Sequence, residues 1–383
     1  MEYGGVVLLV AAILGAVMVG DVPGRVADFC AAAICRVTGG EDCELAGQAA
    51  DVGPLAYRDP TLDPRPVRPP LDRPGCADPD AAWTEGLHAH NDYENGTPLQ
   101  DALDNGAISV EADVWVAKPV ELGEEGIMEG RQELSVRHDA DETTSETLRD
   151  LYIDPLIERA EENGGEIYPG RDEPFRLVIE IKEKEDKNRD KWLEAYQIAY
   201  REIQDLPEGV EVVFSGDTPS SVAELADAEL DGERIGLPPR GATFDIAPEY
   251  PDCTLPEHLR FGSDAYDPDE ARYFSTLNGE WGEGKCGDQD GDGHISGEEQ
   301  ERLNEVVEQA HASGMKVRFW GTPDGKDRAG HGRFFPCIGY DSCENAPRER
   351  AWDALHEAGV DFYNTDHLTQ SRDWLRECGE GDF

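Results

Sequence analysis

From residue 86 onward the chain alternates between two hydrophobic patterns. Short apolar runs, continuous or alternating with polar residues, read as strands; stretches with apolar residues every three to four positions read as helices. Strands are expected at residues 86–91, 108–116, 175–182, 210–215, 242–246, 259–262, 316–320 and 361–364, with a further extended stretch at 133–138. Helices are expected at 98–105, 147–163, 190–204, 219–228, 298–313, 347–358 and 368–378. Gly314 and Gly359 stand just past two of these helices, where a left-handed residue ends the turn. Strands separated by helices imply a parallel sheet, open or closed. No Gly-x-Gly-x-x-Gly follows the first strand, which removes the main support for a dinucleotide-binding fold. Ionisable residues sit at the C-terminal ends of several strands, where an eightfold barrel of about 250 residues places its active site. The α/β class and a (β/α)8 (TIM) barrel are therefore expected.

The segment before the barrel differs in kind. Tyr3 to Gly20 carries no charge and suits a signal peptide or N-terminal anchor. Residues 21–80 form a cysteine-containing and then proline-rich linker, too dense in proline around residues 53–80 for helix or ladder. The domain is taken as residues 81–383. Nine cysteines without a Cys-x-x-Cys pair, behind an apolar N-terminus, point to disulfides and to a secreted or extracytoplasmic, membrane-anchored protein. With 83 acidic against 34 basic residues the net charge is −49, which repels nucleic acid and anionic lipid. The expected partner is a small-molecule or lipid-derived substrate, with membrane contact only through the N-terminal segment.

The candidate chemistry lies on the first strands. Glu111 and Asp113 are two residues apart on a strand, so both side chains face the barrel interior. Two such carboxylates repel one another unless a cation lies between them. Glu180 on the next strand offers a third oxygen ligand, a set that suits Mg²⁺ or Ca²⁺. His90 and His138 each follow apolar strand residues and precede Asn91 or Asp139; together they suit a general acid–base pair. Lys182 shares the face of Glu180 and would neutralise phosphate charge.

These motifs, with Phe319-Trp320-Gly321-Thr322-Pro323 and Asn364-Thr365-Asp366, resemble the glycerophosphodiester phosphodiesterase and phosphatidylinositol-specific phospholipase C-like superfamily. His90-Asn91-Asp92-Tyr93, Ser109 to Trp115 and Leu151 to Leu156 look most like the branch of the fungal altered-inheritance-of-mitochondria proteins and their bacterial relatives. The resemblance implies a metal-dependent phosphodiester hydrolase acting on a glycerophosphodiester or phospholipid-derived diester. His90 and His138 would match its catalytic histidines, and Glu111, Asp113 and Glu180 its metal ligands. Glycerophosphodiesterases typically carry Arg-Gly where Asn91 and Asp92 stand. Two other readings are weaker: an amidohydrolase-like metalloenzyme, suggested by His88-x-His90, and a non-catalytic calcium-binding surface protein.

Residues 288–299 read Asp-Gln-Asp-Gly-Asp-Gly-His-Ile-Ser-Gly-Glu-Glu, the full register of an EF-hand loop. Asp288, Asp290 and Asp292 would supply side-chain oxygens, His294 its carbonyl, Ser296 a hydroxyl or a water, and Glu299 a bidentate carboxylate. The segment before it, residues 277–287, contains four glycines and is a poor helix. The loop is therefore expected as a calcium clip in a late strand-to-helix connection, not as a sensor.

Overall fold

The computed structural model describes residues 76–117, 133–142, 144–323 and 345–377. Eight parallel strands close on themselves: β1 (Thr84–Ala89), β2 (Ala107–Val116), β3 (Phe175–Ile181), β4 (Val210–Gly216), β5 (Ala242–Ile246), β6 (Phe274–Glu280), β7 (Lys316–Trp320) and β8 (Phe362–Thr365). Each pairs with the next in sequence, and β8 returns to β1 with Asn364 beside His88. A helix follows every strand: α1 (Gln100–Asp104), α2 (Asp154–Glu162), α3 (Arg189–Glu202), α4 (Ala223–Ala226), α5 (Pro268–Ala271), α6 (Gly297–Ala312), α7 (Asn345–Ala358) and α8 (Leu368–Glu377). This is the expected barrel. The expected N-terminal signal or anchor segment and most of the proline-rich linker lie outside the described residues.

Alternation along the strands sorts side chains into two compartments. Outward residues pack under the helices. Phe214 and Phe244 lie edge-on to Tyr196 of α3 at 5.5 and 6.1 Å, and both are fully buried. Burying a Phe side chain contributes about 1.5–3 kcal/mol, so this outer layer carries the apolar core. The interior instead mixes a few apolar residues, among them Val178, Val213 and Phe362, with many polar ones. Arg176 reaches across to Thr276 (2.8 Å) and Glu211 (2.7 Å), and its guanidinium covers the Phe362 ring at 4.3 Å. Higher up, Arg318 contacts Glu111, Ser215 and Asp245.

Two expectations are corrected. Residues 259–262 form turns, and the sixth strand is Phe274–Glu280. Its Thr276 and Asn278 serve the polar interior, and a Cβ at Gly279 would lie 2.3 Å from the Phe319 ring of β7. The helix expected at 147–163 is present without interruption from 148 to 162, its first part π-helical at Arg149–Ile153 before α2. The helix expected at 219–228 is reduced to Ala223–Ala226.

The connection after β6 carries the EF-hand-like segment. It is fastened by the Cys253–Cys286 disulfide, which ties it to the loop after β5. Ser296 caps α6, its hydroxyl accepting from Glu299 N–H while the Glu299 carboxylate accepts from Ser296 N–H.

Candidate metal and acid–base site

Strand periodicity builds the site. Glu111 and Asp113 project inward from β2, Glu180 from β3, and register sets Asp113 beside Glu180. Their carboxylate oxygens lie within 4.8 Å of one another. Glu111 and Asp113 are almost fully buried, and Glu180 is partly so. Three carboxylates this close in a dry interior need either protons or cations.

Each carboxylate is held differently. Glu111 Oε2 accepts from Arg318 Nη1 at 2.8 Å and lies 3.1 Å from His88 Nε2. Burial alone would push Glu111 up, but the Arg318 charge and the His88 contact outweigh it and hold the group well below the usual carboxylate range. Glu180 responds oppositely: burial, reinforced by the charges of Asp113 and Glu111, lifts it from 4.5 to about 8 despite Lys182. Burial likewise raises Asp113, although Lys182 opposes it. Lys182 Nζ stands 3.0 Å from Asp113 and 2.9 Å from Glu180. Tyr93 donates its hydroxyl to Asp113 Oδ2 at 2.9 Å. Asp113 Oδ1 is buried without a partner in the chain. An unpartnered oxygen on a carboxylate clustered with two others fits a hard divalent cation.

His90 stands just past the end of β1. Its Nδ1 is 2.9 Å from Asp366 Oδ1, beyond the end of β8. Burial draws the imidazole down, yet the Asp366 hydrogen bond and the charges of Glu111 and Asp113 prevail and raise it from 6.5 to about 9. With Nδ1 bound to Asp366, Nε2 is the nitrogen left for chemistry.

His138 follows the short strand Leu134–Val136, which pairs antiparallel with the end of β2. Arg137 N–H donates to the Asp113 carbonyl at 3.0 Å, and Trp115 Nε1 donates to the His138 carbonyl at 3.3 Å. These bonds anchor the segment at the rim beside Asp113. The half-buried His138 ring has its Nδ1 3.2 Å from Asp139.

Two residues absent from the sequence-derived set emerge. Arg318 fixes Glu111 from beneath, and Asp366 orients His90. His88 is an interior group: Nδ1 lies 2.7 Å from the Ser109 hydroxyl, and burial lowers the ring from 6.5 to about 4. Among the described residues, the two clusters able to hold a cation contain carboxylates only, so the amidohydrolase-like reading gains no ligand histidine. Asp92 is fully buried, accepting from Leu99 N–H and the Tyr152 hydroxyl at 2.5 and 3.0 Å.

The second cluster is Asp288, Asp290 and Asp292. Asp288 accepts from the N–H groups of Asp292 and Gly293, and Asp292 from that of His294. Glu299 is turned to the backbone N–H groups of Gln289, Asp290 and Ser296. His294 is exposed, and Ser296 is committed as the cap of α6.

Residues 82–180 match the family model described as the AIM6-like phosphodiesterase domain. That span contains β1 to nearly the end of β3, and with it His90, Glu111, Asp113, His138 and Glu180. The chain is 27% identical over 306 residues to Altered inheritance of mitochondria protein 6 of Eremothecium gossypii, covering 74% of this chain and 67% of the relative. It is 24% identical over 313 residues to the Lachancea thermotolerans protein of the same name, covering 74% and 64%. A 174-residue match to the Candida glabrata protein is 28% identical and covers 38% and 42%. The chain thus spans about two thirds or less of these relatives' lengths.

Proposed function

We infer, with the AIM6-like branch of the phosphodiesterase-like superfamily as premise, that this chain is a metal-dependent phosphodiester hydrolase. The observation that carries the reading is the clustering of Glu111, Asp113 and Glu180, with Asp113 Oδ1 left unpartnered in the chain and a histidine oriented by Asp366 at the same end of the barrel. Glu111, Asp113 and Glu180 would hold Mg²⁺ or Ca²⁺, which when bound polarises phosphoryl oxygens. Asp366 presents His90 Nε2 to the substrate as one proton-transfer group, and His138 on the rim is the other. Between them the two histidines take the proton of the attacking hydroxyl and return one to the leaving alkoxide. Lys182 supplies positive charge at the same rim, and Tyr93 steadies Asp113.

The substrate class is a glycerophosphodiester or phospholipid-derived diester. The strongly acidic chain disfavours nucleic acid. The Cys253–Cys286 disulfide supports an extracytoplasmic setting. The test is hydrolysis of bis(p-nitrophenyl) phosphate, glycerophosphodiesters and lysophospholipids with Mg²⁺, Ca²⁺ or EDTA. Cleavage that requires added cation is expected; cleavage of none of them, or cleavage unaffected by EDTA, refutes the reading.

We further propose that the 288–299 segment binds calcium as a clip in the connection between β6 and α6. Support comes from the twelve-position register and from the convergence of Asp288, Asp290 and Asp292. Coordination by Glu299 requires its carboxylate to leave the backbone donors it now accepts from. Calcium at about 100 times its dissociation constant is expected to add about 2.7 kcal/mol of stability. Thermal unfolding of the wild type and of Asp290→Asn, each with calcium or EGTA, checks this. Identical curves for the wild type under both conditions would remove the clip.

A further inference from the structure

Asn364 on β8 turns its side chain into the barrel. Two residues earlier, Phe362 places its ring 6.4 Å from that of His88 and beneath the Arg176 guanidinium. Tyr363 between them faces outward, 5.7 Å from Trp374 of α8. Alternation therefore sends Asn364 inward, one layer above Phe362 and one below Asp366, the partner of His90. In register it stands beside His88.

The side chain is buried, at 4% exposure, yet neither its Oδ1 nor its Nδ2 has a partner within the chain. Most polar groups of the interior are engaged elsewhere: His88 beside it by Ser109 and Glu111, the Arg318 Nη atoms by Glu111, Ser215 and Asp245, and Asn278 Nδ2 by Asp245, while Arg318 Nε is buried without a partner in the chain. Asp113 Oδ1 and Asn278 Oδ1 are likewise buried without partners in the chain. Buried amides are nearly always hydrogen-bonded, and one left unpaired loses hydration at both ends. An apolar residue of the same size would suit the fold better, so stability does not account for an amide here.

We infer that Asn364 is a substrate-contacting residue at the floor of the site, its Nδ2 donating to a phosphoryl oxygen and its Oδ1 accepting from a hydroxyl on the alcohol part of the diester. The inference rests on the phosphodiesterase reading and narrows it. An amide offers one donor group and one acceptor, so it favours a ligand presenting both, as a hydroxyl-bearing diester does and a bis-aryl diester does not.

The test compares the wild type with Asn364→Leu, which keeps the size, and Asn364→Asp, which keeps an acceptor and loses the donor. Three quantities are measured in Mg²⁺: the thermal midpoint, kcat/KM on a glycerol phosphodiester and on bis(p-nitrophenyl) phosphate, and calorimetric binding of glycerol phosphate. Asn364→Leu is expected to keep or raise the midpoint. It should lose at least about tenfold in kcat/KM on the glycerol diester, chiefly through KM, and less on the aryl diester. Its binding of glycerol phosphate should weaken by a similar factor, and Asn364→Asp should weaken it too. Unchanged binding and turnover in both variants, or a fall in midpoint that marks the amide as structural, overturns the inference. If glycerol phosphate binds the wild type and not Asn364→Leu while neither diester is cleaved, the contact stands and the hydrolase reading falls. If the wild type neither binds nor cleaves, both fall.

Discussion

Replacing His90 by Ala is expected to lower the rate of phosphodiester cleavage by about 10²–10⁴-fold, the usual worth of a positioned acid–base group. Steady-state kinetics on an activated diester at saturating cation would measure it. A rate within a few-fold of the wild type would remove His90 from the chemistry. The ring is only half-buried and serves no packing cluster, so the thermal midpoint should fall near neutral pH only through loss of the Asp366 and carboxylate interactions, and should approach the wild type as pH climbs past about 9. Its titration carries a second check. In the cation-free protein the imidazole is raised to about 9, the Asp366 bond and the carboxylate charges outweighing burial. A histidine raised in this way favours the folded state fully below its unfolded value, and that contribution fades as pH climbs through about 9. Asp366→Asn removes one of the raising partners. NMR titration should then find the His90 resonance moving at lower pH, with cleavage falling in step. An unchanged titration would mean that Asp366 does not set the proton at Nδ1.

Asp113→Asn is expected to remove cation dependence altogether. Asp113 is the buried carboxylate with an oxygen unpartnered within the chain, flanked by Glu111 and Glu180. Removing its charge relieves repulsion in the cation-free site but also takes a partner from Lys182. The midpoint without cation should therefore change little, while the rise that Mg²⁺ confers on the wild type disappears. Affinity should fall by more than the about 10–100-fold that loss of a mere outer-shell partner costs. Calorimetric Mg²⁺ titration beside thermal unfolding separates these effects. A variant that keeps the wild-type cation shift would place the metal elsewhere.

The spacing of Glu111 and Asp113 was readable because a strand has only two faces, so one intervening residue already means a shared side. His90 and His138 were readable by their place at the ends of apolar runs. Arg318 was not. It alternates with Val317 and Phe319 as any amphipathic strand residue would, and only barrel closure reveals that its polar face is the interior. Asp366 was hidden by distance: 276 residues separate it from His90, and the β8–β1 pairing alone makes them neighbours. β6 was missed because its inward residues are Thr276 and Asn278, and its small outward Gly279 admits Phe319. With Thr276 and Asn278 on one face and only Leu277 before Gly279 on the other, it lacks the aliphatic run of its neighbours. The departure at Asn91 and Asp92 is partly explained by the fold. Asp92 is spent on the Leu99 N–H and the Tyr152 hydroxyl, and Tyr93 is the residue that hydrogen-bonds Asp113.

The Arg318 hub also bears on how such a chain changes over generations. A buried guanidinium touching Glu111 and Asp245 at 2.8 and 3.2 Å cannot be exchanged alone, because its loss strands two carboxylates in a dry interior. Replacing either acid alone leaves the positive charge short of a counterion. The effects of these three substitutions are therefore strongly epistatic, each harmful singly and tolerable chiefly in company. Descendants that cross this valley must alter the set together. The interior is thus a historical ratchet as well as a support: loops at the rim can drift toward new substrates while the centre beneath Glu111 stays fixed.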